Sequence, residues 1–337
     1  MKNARAETQT PGKARMHFPA LSVYARKLFV FLAERGWFRW LPDKPYLKCF
    51  YYAKTGLRLH LDPPVLYGEK IQWLKLHDRD PLHRELTDKL GARAYVEKLV
   101  GGEYLTPLLG VWENPDAIDF ASLPERFVLK CSHNSGGAIV CKDKTVFDEP
   151  RARKSLKRQL RHGYYEKGRE WLYKDIPRRV MAEAYIGGED GVPPADYKFS
   201  CYQGTPRVLL VCKNRAGKYA DYYYLDRDFR FLPMMVGDEE RASSVRLARP
   251  PHLDEMWKLA ETLSQGMEHV RIDLYDTDAG VRFGEYTFFD TSGFYNGYTP
   301  LGERIMGEHL LKETTWQKNT STKASRTNRR HSRTSKP

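Results

Sequence analysis

Cysteine is scarce in this chain, and its spacing pairs with nothing. The 337 residues hold five, Cys49, Cys131, Cys141, Cys201 and Cys212, an odd number without a Cys-x-x-Cys pair. That argues against a disulfide-stapled secreted scaffold and leaves no zinc site. Most of the five fall in apolar, strand-like runs, where a reduced thiol packs as a small hydrophobe. Long apolar runs are missing as well. Residues 17–41 are apolar and aromatic, but Arg26, Lys27, Glu34, Arg35 and Arg39 interrupt them before they reach the length of a membrane span. No secretory signal is expected, because the charged residues 1–16 precede a broken apolar stretch without a small-residue cleavage pattern. The expected setting is therefore the cytoplasm. No internal repeat is visible, and Asp276-Thr277-Asp278, which has the spelling of a sugar-nucleotide motif, falls in a predicted hairpin turn.

Acidic residues are few at the two ends, and this accounts for most of the net charge of +13. Residues 1–16 carry +3 and residues 312–337 carry +7, which leaves +3 on the body. With the excess at the ends, no specific nucleic-acid partner is expected. Both ends are expected to be disordered; the second is rich in Ser, Thr, Asn and Arg and nearly devoid of apolar residues. Its charge suits either electrostatic contact with RNA or anionic lipid, or simple solubilisation. The body, with 13% aromatics over the whole chain, has the length and composition of one multi-lobed unit with a substantial core. Residues 17–69 form its helical N-terminal part. There, Val23-Tyr24, Leu28-Phe29, Phe31-Leu32 and Trp37-Phe38 are predicted to share one helical stripe with basic margins. Such a segment either lies on the inner surface of the plasma membrane or packs on its own domain.

The most informative stretch is Val270-Arg271-Ile272-Asp273-Leu274-Tyr275, followed by Arg282-Phe283-Gly284-Glu285-Tyr286-Thr287. The two apolar runs flank Asp276-Thr277-Asp278-Ala279-Gly280 and read as a hairpin that brings Asp273 and Glu285 together. Adjacent carboxylates repel unless a cation lies between them, and hard oxygen ligands of this kind suit Mg²⁺ held against phosphate. Arg271 alternates onto the face of Asp273 and offers charge to a phosphoryl group. A solvated hairpin with ordinary surface charges is the plainer alternative.

A second cluster lies upstream. Phe127-Val128-Leu129-Lys130-Cys131 is a predicted strand, followed by Ser132-His133-Asn134-Ser135-Gly136-Gly137 and a strand at 138–141. A small-residue loop between strands can fold over phosphates and donate backbone N–H groups, with Lys130 as a point charge at its base. Elsewhere the pattern predicts helices over 64–77, 82–100, 151–162 and 254–265, and strands over 179–186, 196–202, 208–213 and 282–289, with a turn at Asn214-Arg215-Ala216-Gly217. Lys89 and Arg93 are four apart on one face of the second helix.

Taken in order, these pieces resemble the ATP-grasp superfamily, and most closely the TupA-like family, named for teichuronopeptide biosynthesis and associated with bacterial surface polysaccharides. The resemblance runs over residues 70–311, through Ile71-Gln72-Trp73-Leu74-Lys75-Leu76, Asp88-Lys89-Leu90, Tyr104-Leu105-Thr106-Pro107-Leu108-Leu109-Gly110-Val111-Trp112 and Phe127-Val128-Leu129-Lys130-Cys131-Ser132-His133. It continues through Gly168-Arg169-Glu170-Trp171, Asp196-Tyr197-Lys198-Phe199 and Gly284-Glu285-Tyr286-Thr287-Phe288. It implies an α+β chain in the ATP-grasp fold, with a smaller lobe at about 125–186 and a larger one at about 187–311 gripping ATP. It further implies that Lys89, Lys130 and the loop residues Ser132, His133, Ser135, Gly136 and Gly137 meet the phosphates, and that Glu183 with its backbone holds adenine. Asp273 and Glu285 would hold Mg²⁺, and Arg271 would stabilise the transferring phosphoryl group, as in D-alanine–D-alanine ligases. Thr287 stands where most of the superfamily has a metal-binding asparagine, and Asp290 either substitutes as ligand or serves a turn. Lys198 either faces the phosphates, anchors a carboxylate or pairs with Asp196 on the surface.

The activity implied is ATP-dependent amide formation through an acyl-phosphate. The family association suggests a uronic acid carboxylate on a glycan as one partner and an amine or amino acid as the other. Gly163-Tyr164-Tyr165-Glu166-Lys167-Gly168-Arg169-Glu170-Trp171 offers aromatic and basic groups for such a sugar. A glycan phosphotransferase on the same nucleotide site, and a basic polymer-binding protein with a degenerate site, are the alternatives.

Overall fold

The computed structural model describes residues 22–188, 192–214 and 220–311. The expected disordered ends, 1–16 and 312–337, and most of the turn expected at 214–217 lie outside the described residues. Ten helices are described: α1 (Val23–Glu34), α2 (Asp43–Thr55), α3 (Tyr67–His77), α4 (Pro81–Thr87), α5 (Lys89–Val100), α6 (Glu149–Arg161), α7 (Tyr165–Gly168), α8 (Asp238–Arg241), α9 (Leu253–Leu263) and α10 (Pro300–Gly307). The strands are β1 (Leu108–Trp112), β2 (Phe127–Cys131), β3 (Ile139–Cys141), β4 (Val180–Ala184), β5 (Asp196–Tyr202), β6 (Thr205–Lys213), β7 (Asp221–Leu225), β8 (His269–Thr277) and β9 (Gly280–Thr287). They form two antiparallel sheets, one in the order β1-β4-β2-β3 and the other β7-β6-β5-β8-β9.

Each sheet has its own core. The four-stranded sheet buries Phe127, Leu129, Val180 and Ala182 against Ala152 and Leu156 of α6 and against Ile118 and Phe120. The five-stranded sheet buries Phe199, Leu209, Ile272 and Leu274 against α9, where Trp257 packs edge-on to Phe199. The same core takes in Tyr46, Leu47 and Phe50 of α2 and Ile71 and Trp73 of α3, so the N-terminal helices are part of the larger body. Four of the five cysteines are buried in strands; Cys49, on α2, is exposed.

The helix expected over 82–100 is broken at Asp88, which adopts extended geometry and caps α5 through its side chain to the Leu90 N–H. Asp88 also accepts from Arg179 at 3.0 Å, so the break is tied to the start of β4. The helix expected from 64 begins at Tyr67, because the buried Glu69 carboxylate accepts from the Val65 and Leu66 N–H groups and holds them outside the helix. β7 was not anticipated; its Asp-Tyr-Tyr-Tyr-Leu sequence lacks period-two patterning.

The stripe expected in the N-terminal helix is divided between two faces. Phe29, Val30 and Ala33 pack toward α2, with Phe29 stacked on Phe38 at 4.8 Å. Val23, Tyr24, Leu28, Phe31 and Trp37 remain exposed. Among the described residues no helix is long and apolar enough to cross a membrane.

His269 supplies a test of the larger core. It is buried, with the Tyr67 hydroxyl 3.2 Å from Nε2 and the Cys201 carbonyl 3.2 Å from Nδ1. Burial pushes its pKa down from the ordinary 6.5 to about 4. The unfolded chain therefore binds a proton that the folded chain refuses, so this stability is full above about 6.5 and is lost as pH falls toward 4. His269→Gln should reduce the loss of stability between pH 7 and pH 4.5 by about 2–3 kcal/mol. Urea titrations at the two pH values measure it; an unchanged pH slope would mean that acid unfolding runs through other groups.

Candidate active site

The hairpin of β8 and β9 sets the register of the site, with Arg271 opposite Thr287 and Asp273 opposite Glu285. On the other side of β8, Lys198 of β5 is the partner of Asp273. Strand alternation thus collects Arg271, Asp273, Lys198, Glu285 and Thr287 in one neighbourhood. Past Asp273 the register slips, Leu274 pairing with Phe283, and Gly284 becomes the extra residue of a bulge. A Cβ on Gly284 would stand 3.0 Å from the Asp273 carbonyl oxygen and 2.9 Å from the Tyr275 ring, so only glycine fits without displacement. Across this bulge the two carboxylates differ. Asp273 is buried, whereas 38% of the Glu285 side chain is exposed.

Cations already hold Asp273. Arg271 donates from Nε to Oδ1 at 2.6 Å and from Nη2 to Oδ2 at 2.8 Å, while Lys198 Nζ donates to Oδ2. Arg271 also donates to Asp290 through Nη1 and to Thr287 Oγ1 at 3.1 Å, and lies 3.7 Å from Glu285. Burial alone would push the Asp273 carboxyl up, but Arg271 and Lys198 outweigh it and hold the group below the usual carboxylate range. Burial opposes the charges of Arg271 and Lys198 too, yet Asp273 holds both above their ordinary values. The structure adds a partner to two of the sequence alternatives, the turn at Asp290 and the pairing of Lys198 with Asp196. Asp290 is the buried counter-ion of Arg271 at the head of a short turn, Asp290–Gly293. Lys198 anchors a carboxylate, but that of Asp273; Asp196 lies farther away, at 3.7 Å.

The four-stranded sheet brings Lys130 and Glu183 face to face. Lys130 Nζ donates to Glu183 at 2.7 Å, and Arg93 of α5 donates to the other oxygen at 2.8 Å. Lys89, one turn before Arg93, donates to the Asn134 carbonyl and so ties α5 to the loop after β2. Burial lowers its pKa, against the pull of Glu285. The loop itself is divided. Its tip, Ser135-Gly136-Gly137, is exposed, and both glycines adopt left-handed backbone (φ 77° and 75°). Asn134 and the Gly137 carbonyl are pinned by Gln159 of α6. Ser132 and His133 depart from expectation. The Ser132 hydroxyl is buried and donates to the Pro177 carbonyl at 2.9 Å, leaving it committed to backbone. His133 is 2% exposed and sits beside the last turn of α6, so its ring is packed rather than presented to a ligand.

Lys89, Arg93, Lys130, Glu183 and Glu285 line one small cavity, together with Tyr173, Met181 and Phe283. Both sheets contribute to it. Its volume is about 20 Å³, against the roughly 300–1,000 Å³ of sites that enclose small molecules. A much larger concavity, about 890 Å³, lies along the basic face of α6, with Asp116 the one carboxylate of its lining, so size does not locate the chemistry. Arg93 and Tyr173 were not among the expected site residues. Arg93 was legible through its spacing from Lys89; Tyr173 lies in a short turn without sequence periodicity.

Whether these donors suit a metal is answered by their number. Among the described residues no group of three or more His, Cys, Asp or Glu side chains converges. Two carboxylates with a nearby hydroxyl do not make an all-protein cage, but they fit Mg²⁺, which keeps waters and shares its shell with phosphate. The accessible Glu285 suits that role without rearrangement. Asp273 suits it once a cation is released from its carboxylate.

Comparison with known proteins adds the following. The family model described as TupA-like ATPgrasp matches residues 69–311. Among solved structures, the chain is similar to D-alanine–D-alanine ligase from Bacillus anthracis complexed with ATP, with 11% identity, TM-score 0.39, and coverage of 75% of this chain and 69% of that one. It is similar to D-alanyl-alanine synthetase A from Vibrio cholerae, with 14% identity, TM-score 0.40, and coverage of 75% and 67%. The ATP-grasp ligase PsnB, complexed with a minimal precursor, matches with 10% identity, TM-score 0.36, and coverage of 71% and 67%. No curated protein matches the chain.

Proposed function

The chain belongs to the TupA-like ATP-grasp family, and from that premise we propose that it is an ATP-dependent carboxylate–amine ligase. In this reading it joins an amine or amino acid to a uronic acid carboxylate of a glycan, in the cytoplasm, for surface polysaccharide biosynthesis. One observation carries it: Lys89, Arg93 and Lys130, drawn from a helix and the smaller sheet, surround the same cavity as Glu285, whose strand partner is Asp273. Three cations against two lining carboxylates suit a polyphosphate, and the carboxylate pair suits its metal.

Lys89, Lys130 and Arg93 receive phosphate oxygens, the N–H groups of Ser135-Gly136-Gly137 cover them, and the backbone near Glu183 takes the adenine. Because the cavity is far smaller than a nucleotide, binding parts the two lobes, and phosphate replaces Glu183 as the partner of Lys130. Asp273, Glu285 and Thr287 would hold Mg²⁺, which when bound supplies charge neutralisation at the transferring phosphoryl group. Arg271, rigidly held by Asp273 and Asp290, stabilises the charge that develops there. The substrate carboxylate attacks the terminal phosphorus and ADP departs. An amine then attacks the acyl carbon of the acyl-phosphate, phosphate leaves, and the amine gives up a proton as the amide forms.

The acceptor is best placed in a cavity of about 340 Å³ beside the turn after Asp290, bounded by Tyr164, Lys167, Thr291, Ser292 and Phe294, with Glu34 and Lys54 from the N-terminal helices. In this reading Tyr164 and Lys167, which line that cavity, would face the sugar. Arg169 does not, because it is buried and donates to the Phe38 and Leu41 carbonyls.

The test is Mg²⁺-dependent ATP turnover against a panel of uronic acids, their glycans and amino acids. Carboxylate-dependent ADP release, with a hydroxamate formed on adding hydroxylamine, is the expected result. ADP release that needs a glycan hydroxyl, without hydroxamate, would replace the ligase with a phosphotransferase. Failure to bind ATP would overturn the nucleotide site itself.

A further inference from the structure

The exposed side of the N-terminal helices is unlike the rest of the surface. Seventeen large apolar side chains stand exposed among the described residues, and six of them, Val23, Tyr24, Leu28, Phe31, Trp37 and Trp40, fall within eighteen consecutive positions. Tyr24 is 83% exposed and Trp40 76%. Tyr24, Leu28 and Phe31 follow one another at i, i+4 and i+7, so they form one stripe along α1. The opposite side of the same helix is already used, with Phe29, Val30 and Ala33 packed toward α2. Packing within the domain therefore leaves this second stripe uncovered among the described residues.

The charge around the stripe selects the occupant. Lys27, Arg35 and Arg39 are exposed beside it, and none of the three pairs with a carboxylate in the described residues. The Arg35 guanidinium lies over the Phe31 ring, 3.3 Å from its centroid, which keeps a cation at the apolar margin. The single acid of α1, Glu34, pairs with Lys54 at 2.8 Å. Tryptophan and tyrosine beside lysine and arginine match the boundary between acyl chains and headgroups. Residues 1–16 add a net +3, a composition that suits an anionic surface. We propose that the outer stripe of α1 and the following turn dock this protein on an anionic lipid surface, with Tyr24, Leu28, Phe31, Trp37 and Trp40 inserted to headgroup depth. The proposal is independent of the ligase reading. Its bearing on that reading is positional, since Glu34 of α1 and Lys54 of α2 line the candidate acceptor cavity.

Sedimentation of the full chain with vesicles of phosphatidylcholine and phosphatidylglycerol, or of phosphatidylcholine alone, tests the proposal. The expected result is partition onto the anionic vesicles, lowered at least about tenfold by the combined substitutions Phe31→Ser, Trp37→Ser and Trp40→Ser. Circular dichroism and ATP binding should not change, because none of the three side chains lines the cavity of Lys130 and Glu285. Equal partition of the triple variant would overturn the proposal and assign binding to the basic ends. So would an absence of vesicle binding, and a concentration-dependent dimer that the triple variant abolishes would identify a second copy as the occupant instead.

Discussion

Asp273→Asn should leave a chain that turns over no measurable ATP and folds less stably by about 3–5 kcal/mol. Both effects come from one carboxylate. Asparagine keeps the shape but withdraws the charge that Arg271 and Lys198 share, leaving two buried cations with weakened pairing. The pH dependence has a defined sign. With its pKa held below the ordinary carboxylate value by Arg271 and Lys198 against the effect of burial, Asp273 contributes stability that is present above that ordinary value. That contribution disappears as pH falls through the depressed one. Denaturant midpoints at neutral pH, read beside turnover, measure both effects. Wild-type stability in the variant would mean that the buried cations find other partners, and retained turnover would remove Asp273 from the proposed metal site.

Glu285→Gln should separate what Asp273→Asn confounds. Its side chain is 38% exposed and its nearest cation, Arg271, is 3.7 Å away, so removing its charge should change stability by less than about 1 kcal/mol. Turnover should nevertheless fall about a thousandfold, because the carboxylate most available to a metal is lost while the position remains filled. Raising Mg²⁺ should restore part of the activity if the loss lies in metal affinity. Turnover within tenfold of the parent would shift the metal role to other groups. A matching loss of stability would show that Glu285 is structural like its neighbour.

Much of this site was legible in the sequence because its residues lie on strands, where period two and a turn of known length specify who faces whom. The opposition of Asp273 to Glu285, and the placement of Arg271 beside Asp273, follow from that local rule. The loop after β2 was legible in part. Two adjacent glycines announced an exposed turn, but the burial of Ser132 and His133 depends on Pro177 and the last turn of α6, dozens of residues away. The turn at Asp290 was readable from its neighbours, but its ion pair was not, since its partner Arg271 is nineteen positions earlier and reaches it only across the folded hairpin.

The sequence by itself determined the family, the strand-borne pairs and the inventory of charges, since each is carried by residue identity at short spacing. Tertiary structure decided how those charges are spent. Burial removes water as a partner, so a buried charge takes the opposite charge or backbone dipole that the fold brings to it. That is why Glu183 holds Lys130 and Arg93, why Asp273 is shared by two cations while Glu285 retains access to solvent, and why one apolar face of α1 is packed while the other is left outside.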